Sequence, residues 1–106
     1  MNKLVRHFPV HSSIAVIFSN TITASNSYDK VIIHIGAATV NQANDIVEQL
    51  SQQVAQYNTE TALIKAHLEI IHGSYPKVIF TVTRINQLRY FQTNSNSEPQ
   101  TSAQKE

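Results

Sequence analysis

The sequence predicts a small α/β domain: a layered sheet of three or four strands with a βαβ unit and one main amphipathic helix, with α+β as the alternative. Three observations carry the prediction. A β-branched run from Val31 to Ile35 closes on Gly36, as a buried strand does. A helical apolar period then occupies residues 40–56, and two later stretches alternate with the two-residue period of strands. The chain has 106 residues and a mass of 11.9 kDa, which bounds it to one domain with a modest core.

The N-terminus supports two readings. Lys3 and Arg6 make a basic start, residues 8–18 are fairly apolar, and Thr23, Ala24, Ser25 and Ser27 are small residues before Tyr28. That order has the form of an export signal, implying a periplasmic or exported protein. His11, Ser12 and Ser13 interrupt the apolar stretch, which gives equal weight to a first strand at residues 14–18 followed by a polar loop, with a cytoplasmic protein as the alternative.

Val31, Ile32, Ile33, His34 and Ile35 read as a strand buried on both faces. Thr39 and Gln42 have the spacing of a capping box, in which hydroxyl and amide satisfy orphaned backbone N–H groups. The helix that follows places Ala43, Ile46, Val47, Leu50, Val54 and Tyr57 on one face. Residues 59–72 fit either period: Ile64, Ala66, Leu68 and Ile70 alternate with Lys65, His67 and Glu69, while Gly73 and Pro76 would stop a helix. The unbroken alternation favours a strand. At residues 77–85, Val78, Phe80 and Val82 alternate with Lys77, Ile79, Thr81 and Thr83. The organisation expected is thus residues 1–27 as export signal or first strand plus loop, residues 28–92 as the domain, and residues 93–106 as a polar, disordered tail.

Composition removes several function classes. Zero cysteines exclude a disulfide framework, a thiolate metal site and a cysteine nucleophile. No apolar run approaches the roughly 18 to 20 residues that span a bilayer. Charged residues are 14% of the chain and the net charge is +1, which offers no broad footprint for a polyanion. One helix covers one face of a sheet. The other face, if apolar, needs a partner or a second copy, so self-association into a homo-oligomer is expected.

The segment Lys30-Val-Ile-Ile-His-Ile-Gly36, an amphipathic helix, and then Leu68-Glu-Ile-Ile-His-Gly73 resembles the opening βαβ unit of the DsrE/DsrF-like sulfur-relay family. The resemblance covers about residues 28–73. It implies a flavodoxin-like layered fold, homo-oligomers and, in some members, an export signal. Relay members use a cysteine beyond the second strand; this chain has none, so a member here would be non-catalytic, an accessory to sulfur metabolism or a binder of small ligands.

No catalytic set is expected: there is no Ser-His-Asp ordering, paired carboxylates, Walker loop or GxGxxG. No cofactor or metal is expected either. His7 and His11 have the best local spacing of the five histidines but no carboxylate nearby, and His67 and His72 fall on opposite strand faces. A small ligand would be met by His34, Gly36, His72, Ser74 and Tyr75, because His34 and His72 lie near the carboxyl ends of two parallel strands; the plainer alternative is a satisfied core-edge His34 and a solvent-facing His72. The other function is a nucleic-acid module using Lys77, Arg84, Arg89, Tyr90 and Phe91, which mix basic and aromatic side chains. Parity separates Lys77 from Arg84, however, and Tyr90 and Phe91 would serve equally to pack the last turn, so nucleic acid is the less favoured partner.

Overall fold

The structure, a computed structural model, describes residues 2–85. Its elements are β1 (Lys3–Phe8), α1 (Ile14–Ser25), β2 (Lys30–Gly36), α2 (Val40–Tyr57), β3 (Ile64–Ile71) and β4 (Lys77–Arg84). The four strands form one mixed sheet in the order β1-β2-β4-β3. β1 runs parallel to β2, and β4 runs antiparallel to both β2 and β3. The α/β class, the α2 helix and the strands β2, β3 and β4 are as the sequence predicts. The proposed tail at residues 93–106, with Arg89, Tyr90 and Phe91, lies outside the described residues.

Residues 14–18 are not a strand. They open α1, and Ser13 is its N-cap, its Oγ accepting from Val16 N–H. The segment packs as a helical face instead: Ile17, Phe18 and Thr21 are buried, and the Thr21 hydroxyl donates to the Ile17 carbonyl one turn back. The first strand lies earlier, at β1, where Leu4 and Phe8 are half-buried beside the core. Residues 3–25 therefore supply a strand and a helix of the domain.

The expected βαβ neighbours are also corrected. β2 and β3 are parallel, but β4 inserts between them, and the adjacent parallel pair joined by a helix is β1-α1-β2. At α2, the N-cap forms as read: Thr39 Oγ1 accepts from Gln42 N–H, while the Gln42 side chain reaches back to accept from Ala38 N–H.

Both helices pack on the same face. Val31, Ile33 and Ile35 of β2 and Val78, Phe80 and Val82 of β4 are fully buried beneath Ile17 and Phe18 of α1 and Ala43, Ile46 and Leu50 of α2. The Phe18 ring lies 6.4 Å from that of Phe80 and 6.0 Å, edge-on, from that of Tyr57. β2 is accordingly buried on one face and not on two: Ile32 and His34 are half-buried on the other. Each helix links strands of one direction, so α1 and α2 run parallel and their C-termini share one end of the sheet. Arg84 marks that end, its Nη2 donating to Ser25 Oγ (2.8 Å) and Tyr57 Oη (3.2 Å), the last residues of α1 and α2.

Candidate functional site

The face of the sheet opposite the helices is bare among the described residues, and strand parity dictates what it displays. The ladder pairs Val5 with Ile32, Ile32 with Thr81, and Thr81 with His67 across all four strands. The next row is His7, His34, Ile79 and Glu69. Lys3 pairs with Lys30 and Thr83 with Lys65 at one end, and Gly36, Lys77 and Ile71 form the other. The face is thus a belt of aliphatic side chains and imidazoles with lysines at both ends.

Charge is sorted between the two layers. Of the described Lys and Arg residues, Lys3, Lys30, Lys65 and Lys77 take the parity of the bare face, and Glu69 is its one carboxylate. The helices carry Asp45 and Glu48 and no Lys or Arg. Arg6 and Arg84 take the opposite parity and offset Asp45 and Glu48 of the helical layer, so the net charge of +1 conceals one cationic face.

At the centre of the belt His7 and His34, paired on neighbouring parallel strands, stack with ring centroids 4.6 Å apart and planes at 29°. Burial, followed by His7 and then Lys77, pushes the His34 imidazole below its ordinary pKa of 6.5, because each disfavours the charged form. Its Nδ1 is buried without a hydrogen-bond partner. His67 lies 3.9 Å from Glu69 on the exposed edge strand. His11 is elsewhere, in the β1–α1 loop at φ 70°, facing Gln42, so His7 and His11 do not converge. Among the described residues no group of three or more metal-ligating side chains forms.

The residues expected to meet a small ligand share one end of the sheet but are spread over it. His34 belongs to the bare face, whereas His72, Gly73, Ser74 and Tyr75 form the exposed β3–β4 turn, with Tyr75 84% exposed. Gly36 lies where the β1–α1 loop crosses the end of β2: a Cβ there would sit 3.2 Å from both Val10 Cγ2 and Val10 N. Its smallness is used by the chain itself. A cleft of about 200 Å³ opens beside it between the two helix N-termini, lined by His11, Gln42 and Asp45 among others.

Of the residues named for nucleic acid, Lys77 lies on the bare face and Arg84 does not. Arg84 follows the parity of Val78, Phe80 and Val82 and turns into the helical layer, with its guanidinium 5.9 Å from the Tyr57 ring centroid. Sequence reasoning missed Lys3, Val5, His7, Lys30, Lys65 and His67 as one surface: strand parity was available for Lys30, Lys65 and His67, but residues 3–8 carried no recognised strand signal. No protein-family model, curated protein or solved structure matches the chain, and the bare face is read from its own geometry.

Proposed function

We propose that this domain is a non-catalytic binding module whose working surface is the bare face of the sheet and whose partner is anionic. The observation that carries the reading is the segregation of Lys3, Lys30, Lys65 and Lys77 onto one face against a single carboxylate, Glu69. Clustered charge of one sign creates a local potential that attracts the opposite sign, whatever the net charge. Binding is favoured over catalysis because the histidines line an open surface, where water is not excluded from a reacting group. With no cysteine in the chain, sulfur relay forms no part of this function.

The test is retention of the full chain on immobilised heparin, compared with a Lys30→Glu/Lys65→Glu double variant. The wild type should elute at distinctly higher salt, and equal elution of the two would sink the reading.

A second reading, self-association, is favoured by the aliphatic strip of Val5, Ile32, Ile79 and Ile71; Val5 is 43% exposed. The lysines oppose face-to-face pairing. The face is also small: about 20 Å along the strands and about 19 Å across four of them, or roughly 400 Å², half the ~800 Å² per partner of a standard interface. Light scattering separates the readings by the sign of the salt effect. Salt screens lysine repulsion and strengthens a face-to-face dimer, whereas it weakens binding of an anionic partner.

A further inference from the structure

Resting on the anionic-partner reading, we infer that the bare face binds a short stretch of single-stranded nucleic acid. Three features of the face select that partner among anions. The lysines stand at its two ends, Lys3, Lys30 and Lys65 at one and Lys77 at the other, separated by the length of β2. That is about 20 Å at the usual rise per residue, a span suited to the low end of the roughly 4 to 16 nucleotides that single-strand platforms cover.

Between the lysines lie rings and aliphatic groups in place of further charge: the stacked His7 and His34 pair, with Val5, Ile32 and Ile79 around it. The stacked pair turns one imidazole face of each ring to the other, and the exposed His7 ring on the edge strand keeps a π-face on which an unpaired base can stack. Tyr75, 84% exposed in the turn beyond Lys77, adds a phenol ring at the same end. A duplex hides its base faces and would leave these rings without a role. Duplex readers commonly place a basic helix in the major groove, but both helices here lie on the opposite layer and carry no Lys or Arg. A lipid surface would use protruding apolar anchors, whereas Ile32, Ile71 and Ile79 are half-buried among their neighbours.

The test is fluorescence anisotropy of the full chain with a labelled 12-nucleotide oligo-uridine, its duplex counterpart, and vesicles containing phosphatidylserine. Four neutralised phosphates give a slope of log K against log salt of about −2.8 for a single strand, or roughly 50-fold weaker binding at 200 mM than at 50 mM salt. The Lys30→Gln/Lys65→Gln variant should halve that slope. Tyr75→Ala, at an exposed turn position, should weaken binding at least ~5-fold, the lower end of the loss of one base stack, and leave the slope unchanged. Circular dichroism establishes that each variant is folded. Equal affinity for single strand and duplex, preference for vesicles, or a slope unchanged by loss of the lysines would overturn the inference. Heparin retention without oligonucleotide binding would overturn it and leave the anionic-partner reading standing; loss of both would end that reading too.

Discussion

Replacing Arg84 by Met should cost the domain about 2 to 3 kcal/mol, and the arithmetic follows from where the two helices end. α1 finishes at Ser25 and α2 at Tyr57, with no basic residue in the last turn of either. Each terminus carries roughly half a negative charge from its aligned peptide dipoles. Among the described residues Arg84 has no carboxylate within 4.0 Å, and its Nη2 donates to both terminal side chains, at 2.8 and 3.2 Å. Its counter-charge is therefore the pair of helix ends.

Two charge-assisted hydrogen bonds contribute about 1.5 kcal/mol each at the lower end of their range. The two dipole interactions add about 0.3 to 1 kcal/mol each. Partial solvation of a half-buried guanidinium, and the cost of its buried Nε having no hydrogen-bond partner, reduce the sum to about 2 to 3 kcal/mol. Met retains most of the apolar stem, so the loss reports the guanidinium. Urea denaturation at neutral pH measures it, with Arg84→Lys expected to recover part of the loss and Tyr57→Phe to cost about 1 kcal/mol. In a double-mutant cycle, Arg84→Met and Tyr57→Phe should couple by about 1 kcal/mol. An Arg84→Met protein within about 0.5 kcal/mol of wild type, the range of an inconsequential surface change, would refute the anchoring argument. The folded variant should also bind oligonucleotide like the wild type, since Arg84 faces away from the bare sheet.

Gly36→Ala should destabilise by about 1 to 2 kcal/mol, because the new methyl meets the Val10 backbone at 3.2 Å; an unchanged urea midpoint would show that the β1–α1 loop yields freely. The His34 imidazole, held below its ordinary pKa of 6.5 by burial, His7 and Lys77, should make stability fall with pH. Below pH 6.5 the unfolded chain takes up this proton before the folded one does, so folding loses free energy until the depressed folded pKa is passed. Denaturation midpoints between pH 7.5 and 5 should therefore decline less in His34→Gln than in wild type, and equal declines would rule that imidazole out as a source. A chain lacking residues 1–27 loses β1 and the buried Ile17 and Phe18 and should show no cooperative thermal transition; a cooperative transition would mean that the core closes without them.

The legible parts of the sequence are those in which one physical signal dominates. β2, α2 and β4 each pair a clean apolar period with a stop or cap, and the alternation of residues 64–70 outweighed a competing helical pattern. The first strand was misplaced because the N-terminal signals compete. β1 is an edge strand in which Lys3, Arg6 and His7 are exposed, so its apolar alternation is short and weak. α1 begins in β-branched residues that suit a strand, yet Ile14, Ile17, Phe18, Thr21 and Ser25 recur at helical spacing, with the polar members satisfied by carbonyls one turn back. The bare face was legible only by parity. Its lysines are far apart in the chain, and a net charge near zero gives no sign that they converge.

The placement of β4 between β2 and β3 has a consequence for how the chain reaches this state. The latest-synthesised of the four strands is an inner one, pairing with β2 and with β3 and burying Val78, Phe80 and Val82. A nascent chain that has emitted β1, α1, β2 and α2 still lacks the piece that joins its two halves, and β3 has no native neighbour to pair with. Assembly must then wait for the far end of the chain, at a high average sequence separation that slows folding. A ribosome stalled before residue 77 would hold exposed strands, a natural substrate for a chaperone.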